Sequence, residues 1–398
     1  MERRHLTQTS GVFMKVSIIG SGDVGSHAAH EIAGRQIADE IVLLDIVDGL
    51  PQGRALDIRQ YCPTIESETM IIGTNSYADT KNSDIVIIAA GTARKTGMDS
   101  RDDLLETNKN IVRSITESVV NYSPDALILV VTNPVDIMTY VAYKVSGFEK
   151  NRIFGMAGVL DAARLKCFIA DKADCSLNDI ETIVMGFHGE WMVPVFSKTK
   201  IRHRSVSEFL TGKDMEEITI KTRQAGRNLI ELTGKSGYFA PGGAIAKMVE
   251  IIINDTREIL PCSAYLEGEY GLSGLYIGVP VVLGRNGIEN IIEFDLDKKE
   301  RAMFDKCAET IKVNLRKISG SPENETESSA EIEEGIKADK ASEPEEKPVD
   351  DETLTIIRND IAKIEKDLLV KSKDDKKKSQ PPIEEGSSPP RNPKNFDN

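Results

Sequence analysis

The chain has 398 residues, 40% of them hydrophobic, and a formal net charge of −14. That length fits two or three domains with a sizeable core, and the acidic balance argues against a nucleic-acid partner and against an anionic membrane surface. No apolar run approaches the roughly 20 residues of a membrane span, and Cys62, Cys167, Cys175, Cys262 and Cys307 show no CxxC or metal-finger spacing, which reads as reduced thiols in a cytoplasmic protein.

Residues 1–13 contain Arg3 and Arg4 but no apolar stretch of a secretory signal, so they read as a disordered extension, with Met14 an alternative start. Lys15 to Ile19 is a β-branched apolar run, the pattern of a buried parallel strand. Gly20, Ser21, Gly22, Asp23, Val24 and Gly25 follow at once, Ser26 to Ala33 reads as a helix, and the apolar run Ile41 to Leu44 ends in Asp45, twenty residues past Gly25. Gly20 permits a tight turn, Gly22 leaves bare backbone for a pyrophosphate, Gly25 allows close helix–strand packing, and the helix N-terminus faces the phosphate charge. Asp45 can accept hydrogen bonds from both ribose hydroxyls and repels a 2′-phosphate, so the stretch predicts a site for NAD rather than NADP.

A turn is expected over Gly49 to Gly53 and a helix over Arg54 to Tyr61. Strands are expected over Met70 to Ile72, Ile85 to Ala90 and Ala126 to Val131, with a long helix from about Asp102 to Asn121. Strands alternating with helices predict an α/β fold, a Rossmann doubly wound parallel sheet. Asp45, Gly91, Arg94 and Asn133 all follow strand ends and so share the edge where such sheets bind ligands.

From about Gly155 the pattern changes to a mixed α+β domain: helices over Asp161–Lys172, Met215–Leu232, Gly242–Asn254 and Glu300–Arg316, and strands at Glu181–Met185, Leu275–Val279 and Ile291–Phe294. Beyond Ser319 the composition becomes acidic and rich in Ser and Pro, which predicts disorder. Leu354, Ile357, Ile361, Ile364 and Leu368 recur there at spacings of 3, 4, 3 and 4, a short heptad stripe able to pair with another tail or a partner, or to remain a transient helix. The expected division is an extension (1–13), a Rossmann NAD-binding domain (14–154), an α+β catalytic domain (155–318) and an acidic tail (319–398) with a helix at 353–370.

Arg94 and Arg101, seven apart, lie in a stretch hinged by Gly91 and Gly97 that reads as a mobile loop, with a solvated basic loop as the plain alternative; arginine offers a permanently charged planar fork matched to carboxylates. Asp161 and Arg164 stand one helical turn apart, on one face; in isolation this is also an ordinary ion pair. His188, between Phe187 and Gly189 after an apolar strand, reads as a candidate acid–base group, with a core histidine as the plain alternative. His27 and His30 share a helix face, but no third ligand candidate is evident, so no metal site is expected.

These features, with Thr132-Asn133-Pro134, Pro241 to Ala246 and Pro261 to Gly271, resemble the L-lactate/L-malate dehydrogenase family from about Met14 to Ser319, in family order. Within it they resemble the lactate-dehydrogenase-like malate dehydrogenases, which are commonly tetramers. The resemblance implies an NAD-dependent L-malate dehydrogenase of the tricarboxylic acid cycle, a homotetramer or dimer acting on a small dicarboxylate. It implies that His188 exchanges the substrate proton, that Asp161 orients His188, and that Arg101 polarises the carbonyl as the loop closes. Arg164 would grip the C1 carboxylate, Asn133 the reacting oxygen, and Arg94 the second carboxylate. Gly20, Gly22, Asp23, Val24, Gly25, Asp45, Gly91, Asn108, Val131 and Asn133 are the implied cofactor contacts. Gly237 stands where lactate dehydrogenases tend to have a larger Thr, which leaves room for that second carboxylate. Thr96, in place of a common Pro, and Trp191, in place of a small hydroxyl residue, depart from the pattern, as does the long tail. The competing readings are an enzyme for another 2-oxo acid and a scaffold that works through the tail.

Overall fold

A computed structural model describes residues 13–92, 101–189 and 191–319, without the side chains of 101–103 and 319. The expectations for Arg94, Thr96, the N-terminal extension up to residue 12 and the tail, including its 353–370 helix, lie outside these residues. The N-terminal half runs β1 (Lys15–Ile19), α1 (Asp23–Gly34), β2 (Glu40–Leu44), α2 (Leu50–Tyr61), β3 (Met70–Thr74), β4 (Ile85–Ile88), α3 (Arg101–Tyr122), β5 (Leu127–Val130), α4 (Val135–Ser146) and β6 (Ile153–Gly155). The six strands pair in parallel in the order β3-β2-β1-β4-β5-β6. The order reverses between β1 and β4, which opens a crevice at the carboxyl ends of the strands. The four residues of β4 and those of β5 are all buried, as expected of strands covered on both faces.

The second half runs α5 (Gly158–Ala173), β7 (Ile180–Glu181), β8 (Val184–Gly186), β9 (Met192–Pro194), β10 (Lys200–Ile201), β11 (Arg204–Ser205), α6 (Gly212–Thr233), α7 (Phe239–Asn254), β12 (Glu258–Glu267), β13 (Ser273–Gly284), β14 (Gly287–Ile291) and α8 (Lys298–Ser319). β12 joins the parallel sheet antiparallel at β6, through Ser263 opposite Gly155, and β13, β8, β9 and β14 extend it to eleven strands among the described residues. A separate small sheet has the order β11-β10-β7. One apolar cluster follows the large sheet, and a second gathers Leu165, Ile169, Ile180, Val184, Ile201 and Ile218 between α5, α6 and the small sheet.

Three expectations are corrected, and one strand is added. α2 begins at Leu50, not Arg54, because Pro51 suits the first helical turn, where its missing N–H costs nothing. The single strand expected at 181–185 is two, β7 and β8, separated at Thr182 and Ile183. β14 spans 287–291 instead of 291–294, since Arg285 and Asn286 form a two-residue hairpin connection between paired Gly284 and Gly287. β12 is not among the expected strands; Pro261, which cannot donate to a ladder, lies inside it and stands opposite Pro280. All five cysteines are free, and no described helix is long and apolar enough to cross a membrane.

Candidate active site

The glycine loop sits between β1 and α1 and its three glycines differ physically. Gly20 has φ +107°, and a Cβ there would lie 2.5 Å from the Ala90 nitrogen. At Gly25 a Cβ would lie 1.9 Å from the Gly20 carbonyl oxygen, so the approach of α1 to β1 tolerates no side chain. At Gly22, the N-cap of α1, an added Cβ meets nothing within 4 Å among the described residues, and none of their side chains caps the helix. The unclaimed amides and the helix dipole therefore face open space suited to a pyrophosphate. Ser21 is fully buried and its Oγ has no hydrogen-bond partner among the described residues. Asp45 Oδ2 accepts the Ser21 N–H at 2.7 Å and Oδ1 accepts the Val47 N–H at 3.1 Å, which aims the carboxylate while leaving each oxygen a lone pair for a ribose hydroxyl. Asp23 pairs with Arg54 at 3.0 Å at the exposed rim, and Val24 packs against the core. These residues fit a bound NAD.

Gly91 follows β4, and Val131 and Asn133 follow β5, on the same sheet edge. Asn108 of α3 is buried, and its side chain joins these segments: Oδ1 accepts the Thr92 N–H at 2.8 Å, and Nδ2 donates to the carbonyls of Asn133 at 2.8 Å and Thr92 at 3.2 Å. Asn108 braces the cofactor edge; its donors are spent on backbone.

Asp161 and Arg164 lie in the first two turns of α5, and His188 follows β8. Asp161 is 2% exposed; its Oδ2 lies 2.8 Å from His188 Nδ1 and its Oδ1 lies 3.5 Å from Arg164 Nη1. Burial pushes the His188 ionisation down, but the charge and hydrogen bond of Asp161 and the charge of Asp136 outweigh it, and the net direction is up. Burial lowers the Arg164 pKa and Asp161 opposes that shift; a guanidinium stays charged regardless. An anchored imidazole beside a half-buried guanidinium is an arrangement that can exchange a proton with an anionic substrate.

Arg101 opens α3, with its side chain outside the described residues. Trp191 turns to α8: its carbonyl accepts the Cys307 S–H at 2.8 Å, and Lys306 Nζ lies 5.1 Å from its ring centroid. At Gly237 a Cβ would lie 2.8 Å from Leu229 Cδ1. The histidine pair on α1 does have a third group beside it, contrary to expectation: His27 Nε2 and His30 Nδ1 lie 3.6 and 3.9 Å from Glu31 Oε1. The other oxygen of Glu31 already holds Arg35 at 3.0 Å.

One residue escaped the sequence reading. Asp136 of α4 is fully buried; Oδ1 accepts the Ser263 Oγ–H at 2.6 Å and Oδ2 accepts the His188 backbone N–H at 3.0 Å. Burial raises its carboxyl to about 6 against the pull of those hydrogen bonds. The available signal was an acid inside the apolar run Val135 to Met138, since a buried carboxylate needs donors.

Residues 14–155 match the lactate/malate dehydrogenase NAD binding domain and residues 158–320 the lactate/malate dehydrogenase alpha/beta C-terminal domain. A malate dehydrogenase of Salinibacter ruber is 48% identical over 302 residues, 76% of this chain and 96% of that protein. A solved malate dehydrogenase structure from that organism superposes with a TM-score of 0.74 at 46% identity, covering 77% of this chain and 98% of the other. The Cryptosporidium parvum lactate dehydrogenase complexed with lactic acid and nicotinamide adenine dinucleotide has a TM-score of 0.75 at 36% identity, over 78% of this chain and 99% of the other.

Proposed function

This chain belongs to the lactate/malate dehydrogenase family, and from that premise we propose that it is an NAD-dependent L-malate dehydrogenase interconverting malate and oxaloacetate. The observation that carries the chemistry is the 2.8 Å contact between Asp161 Oδ2 and His188 Nδ1. With Nδ1 held, His188 presents Nε2 to the substrate oxygen, giving its proton to the carbonyl in reduction and taking it from the hydroxyl in oxidation. Asp161 stabilises the imidazolium in the protonated state. Arg164, at the open side of the pair, grips the C1 carboxylate through two parallel hydrogen bonds. Asn133 and Arg101 polarise the reacting oxygen. NAD, when bound, supplies hydride exchange with the carbon that bears that oxygen.

Arg94 selects the dicarboxylate. A second carboxylate in a water-poor site needs a cationic partner, or its desolvation goes uncompensated; the identity to malate dehydrogenases supports the same choice. Gly20, Gly22, Asp23, Val24, Gly25, Asp45, Gly91, Val131 and Asn133 line the cofactor cleft, with Asn108 behind them. The domain boundary near residue 155 is supported by where the two family matches meet. A homo-oligomer, tetramer or dimer, is supported by exposed Leu229, Ile230 and Leu232 on α6 and Phe239 at the start of α7. We place the enzyme in the cytoplasm, at the malate–oxaloacetate step of the tricarboxylic acid cycle. Steady-state rates with NADH on oxaloacetate and pyruvate, side by side, test the reading: oxaloacetate should be reduced far faster, and equal or reversed preference overturns it.

A further inference from the structure

His188 is held at two points, and the mechanism above uses one of them. Its ring is anchored by Asp161 from α5. Its backbone N–H is anchored by Asp136 from α4, 52 residues away in the chain. The residues on either side explain why the second anchor matters. Gly186 has φ +87° and Gly189 has φ +96°, so the chain turns through left-handed backbone just before and just after the histidine. Between those turns the backbone of His188 makes no strand pairing, since β8 ends at Gly186 and β9 begins at Met192. The Asp136 carboxylate supplies the missing fixed point.

That carboxylate is itself fixed. Its other oxygen accepts the Ser263 hydroxyl at 2.6 Å, and Ser263 is fully buried in β12, the strand that joins the parallel sheet at β6. Asp136 also lies in the first turn of α4, which starts directly after Asn133 and Pro134, and Asn108 braces that start through the Asn133 carbonyl. One buried side chain thus ties the catalytic loop to the same helix start that follows the substrate-side asparagine.

We propose that Asp136 is a positioning residue for the proton transfer: braced by Ser263, its carboxylate holds the backbone at His188 so that the imidazole meets the reacting oxygen. The inference rests on the malate dehydrogenase reading of the site. It predicts a loss concentrated in kcat, because substrate carboxylates are held by other groups, and a misplacement of about 1 Å at a reacting group costs on the order of 10²-fold.

The test compares the wild-type full chain with Asp136→Leu, Asp136→Asn and Ser263→Ala, by kcat and KM for oxaloacetate, NADH affinity and thermal midpoint. Asp136→Leu should lower kcat by about 10²-fold while KM and NADH affinity stay within a few-fold. Asp136→Asn should rescue most of that loss, because its carbonyl can accept from His188 and its amide can donate to Ser263 Oγ. Ser263→Ala should lower kcat less than Asp136→Leu, again without a matching change in KM. A folded Asp136→Leu enzyme with near-wild-type kcat overturns the proposal, as does an Asn variant no better than Leu. If Asp136→Leu fails to fold, the other two decide: an impaired Asn variant, or a Ser263→Ala enzyme with unchanged kcat, overturns it. A wild-type chain inactive on oxaloacetate would instead overturn the activity on which the inference rests.

Discussion

Asp161 Oδ2 lies 2.8 Å from His188 Nδ1, and this contact reverses the effect of burial on the imidazole. Burial alone would keep His188 neutral, whereas the adjacent carboxylate keeps it protonated above its ordinary value of 6.5. The protonated form is the one that can give a proton to a carbonyl undergoing reduction.

The sign of the pH dependence follows. Reduction of oxaloacetate should hold as pH rises past the ordinary histidine range and decline once pH passes the raised His188 pKa. In Asp161→Asn the largest opposing charge is gone and only Asp136 still works against burial, so the declining limb should move to lower pH and turnover should fall. The check is kcat/KM for reduction against pH in both enzymes; coincident limbs would show that Asp161 does not set this ionisation. His188→Gln should lose about 10²–10⁴-fold in turnover with NADH binding retained, read by fluorescence titration.

Arg94→Gln should lower kcat/KM for oxaloacetate by roughly 30- to several-thousand-fold, because truncating one partner of a buried ion pair costs about 2–5 kcal/mol. Pyruvate should lose nothing and can gain, since its methyl group no longer strands a guanidinium. NADH affinity should barely change. An unaltered ratio of the two kcat/KM values would remove Arg94 from substrate selection.

Gly22 and Gly25 should separate binding from folding. Gly22 has φ −67° and open space around an added Cβ, so Gly22→Ala should keep the wild-type thermal midpoint. The new methyl group occupies the approach of the pyrophosphate, and NADH affinity should drop by about tenfold or more, roughly 1.4 kcal/mol. At Gly25 the Cβ would meet the Gly20 carbonyl at 1.9 Å, so Gly25→Ala should lower the midpoint as well as the affinity. Calorimetry and an NADH titration on the two variants distinguish the cases; a Gly22→Ala enzyme of normal affinity would contradict the placement of the pyrophosphate.

Truncation after Ser319 should leave turnover on oxaloacetate within a few-fold of the full chain, because none of the proposed site residues lies beyond it. Sedimentation of the two forms reads any contribution of the Leu354 to Leu368 stripe to assembly. A truncated enzyme that binds NADH normally but has lost nearly all turnover would make the tail part of the catalytic unit.

What the sequence by itself determined is local. The NAD site is encoded within Lys15 to Asp45, because a turn, a helix start and the following strand end are set by residues near each other in the chain. The parallel strands were legible for a similar reason: β4 and β5 are buried on both faces, and such strands must be apolar throughout. His188, Asp161 and Arg164 were legible as residue types in a familiar order. Their contact was decided by the fold, which brings α5 against the end of β8. Only the tertiary structure disclosed Asp136, whose partners His188 and Ser263 are 52 and 127 residues away, and only it showed that Asn108, expected as a cofactor contact, spans Thr92 and Asn133 with its amide. It also decided that β12, proline and all, extends the sheet antiparallel at β6. A hydrogen bond between distant segments leaves no periodicity in the chain; it exists because a buried polar group must find a partner wherever packing has put one.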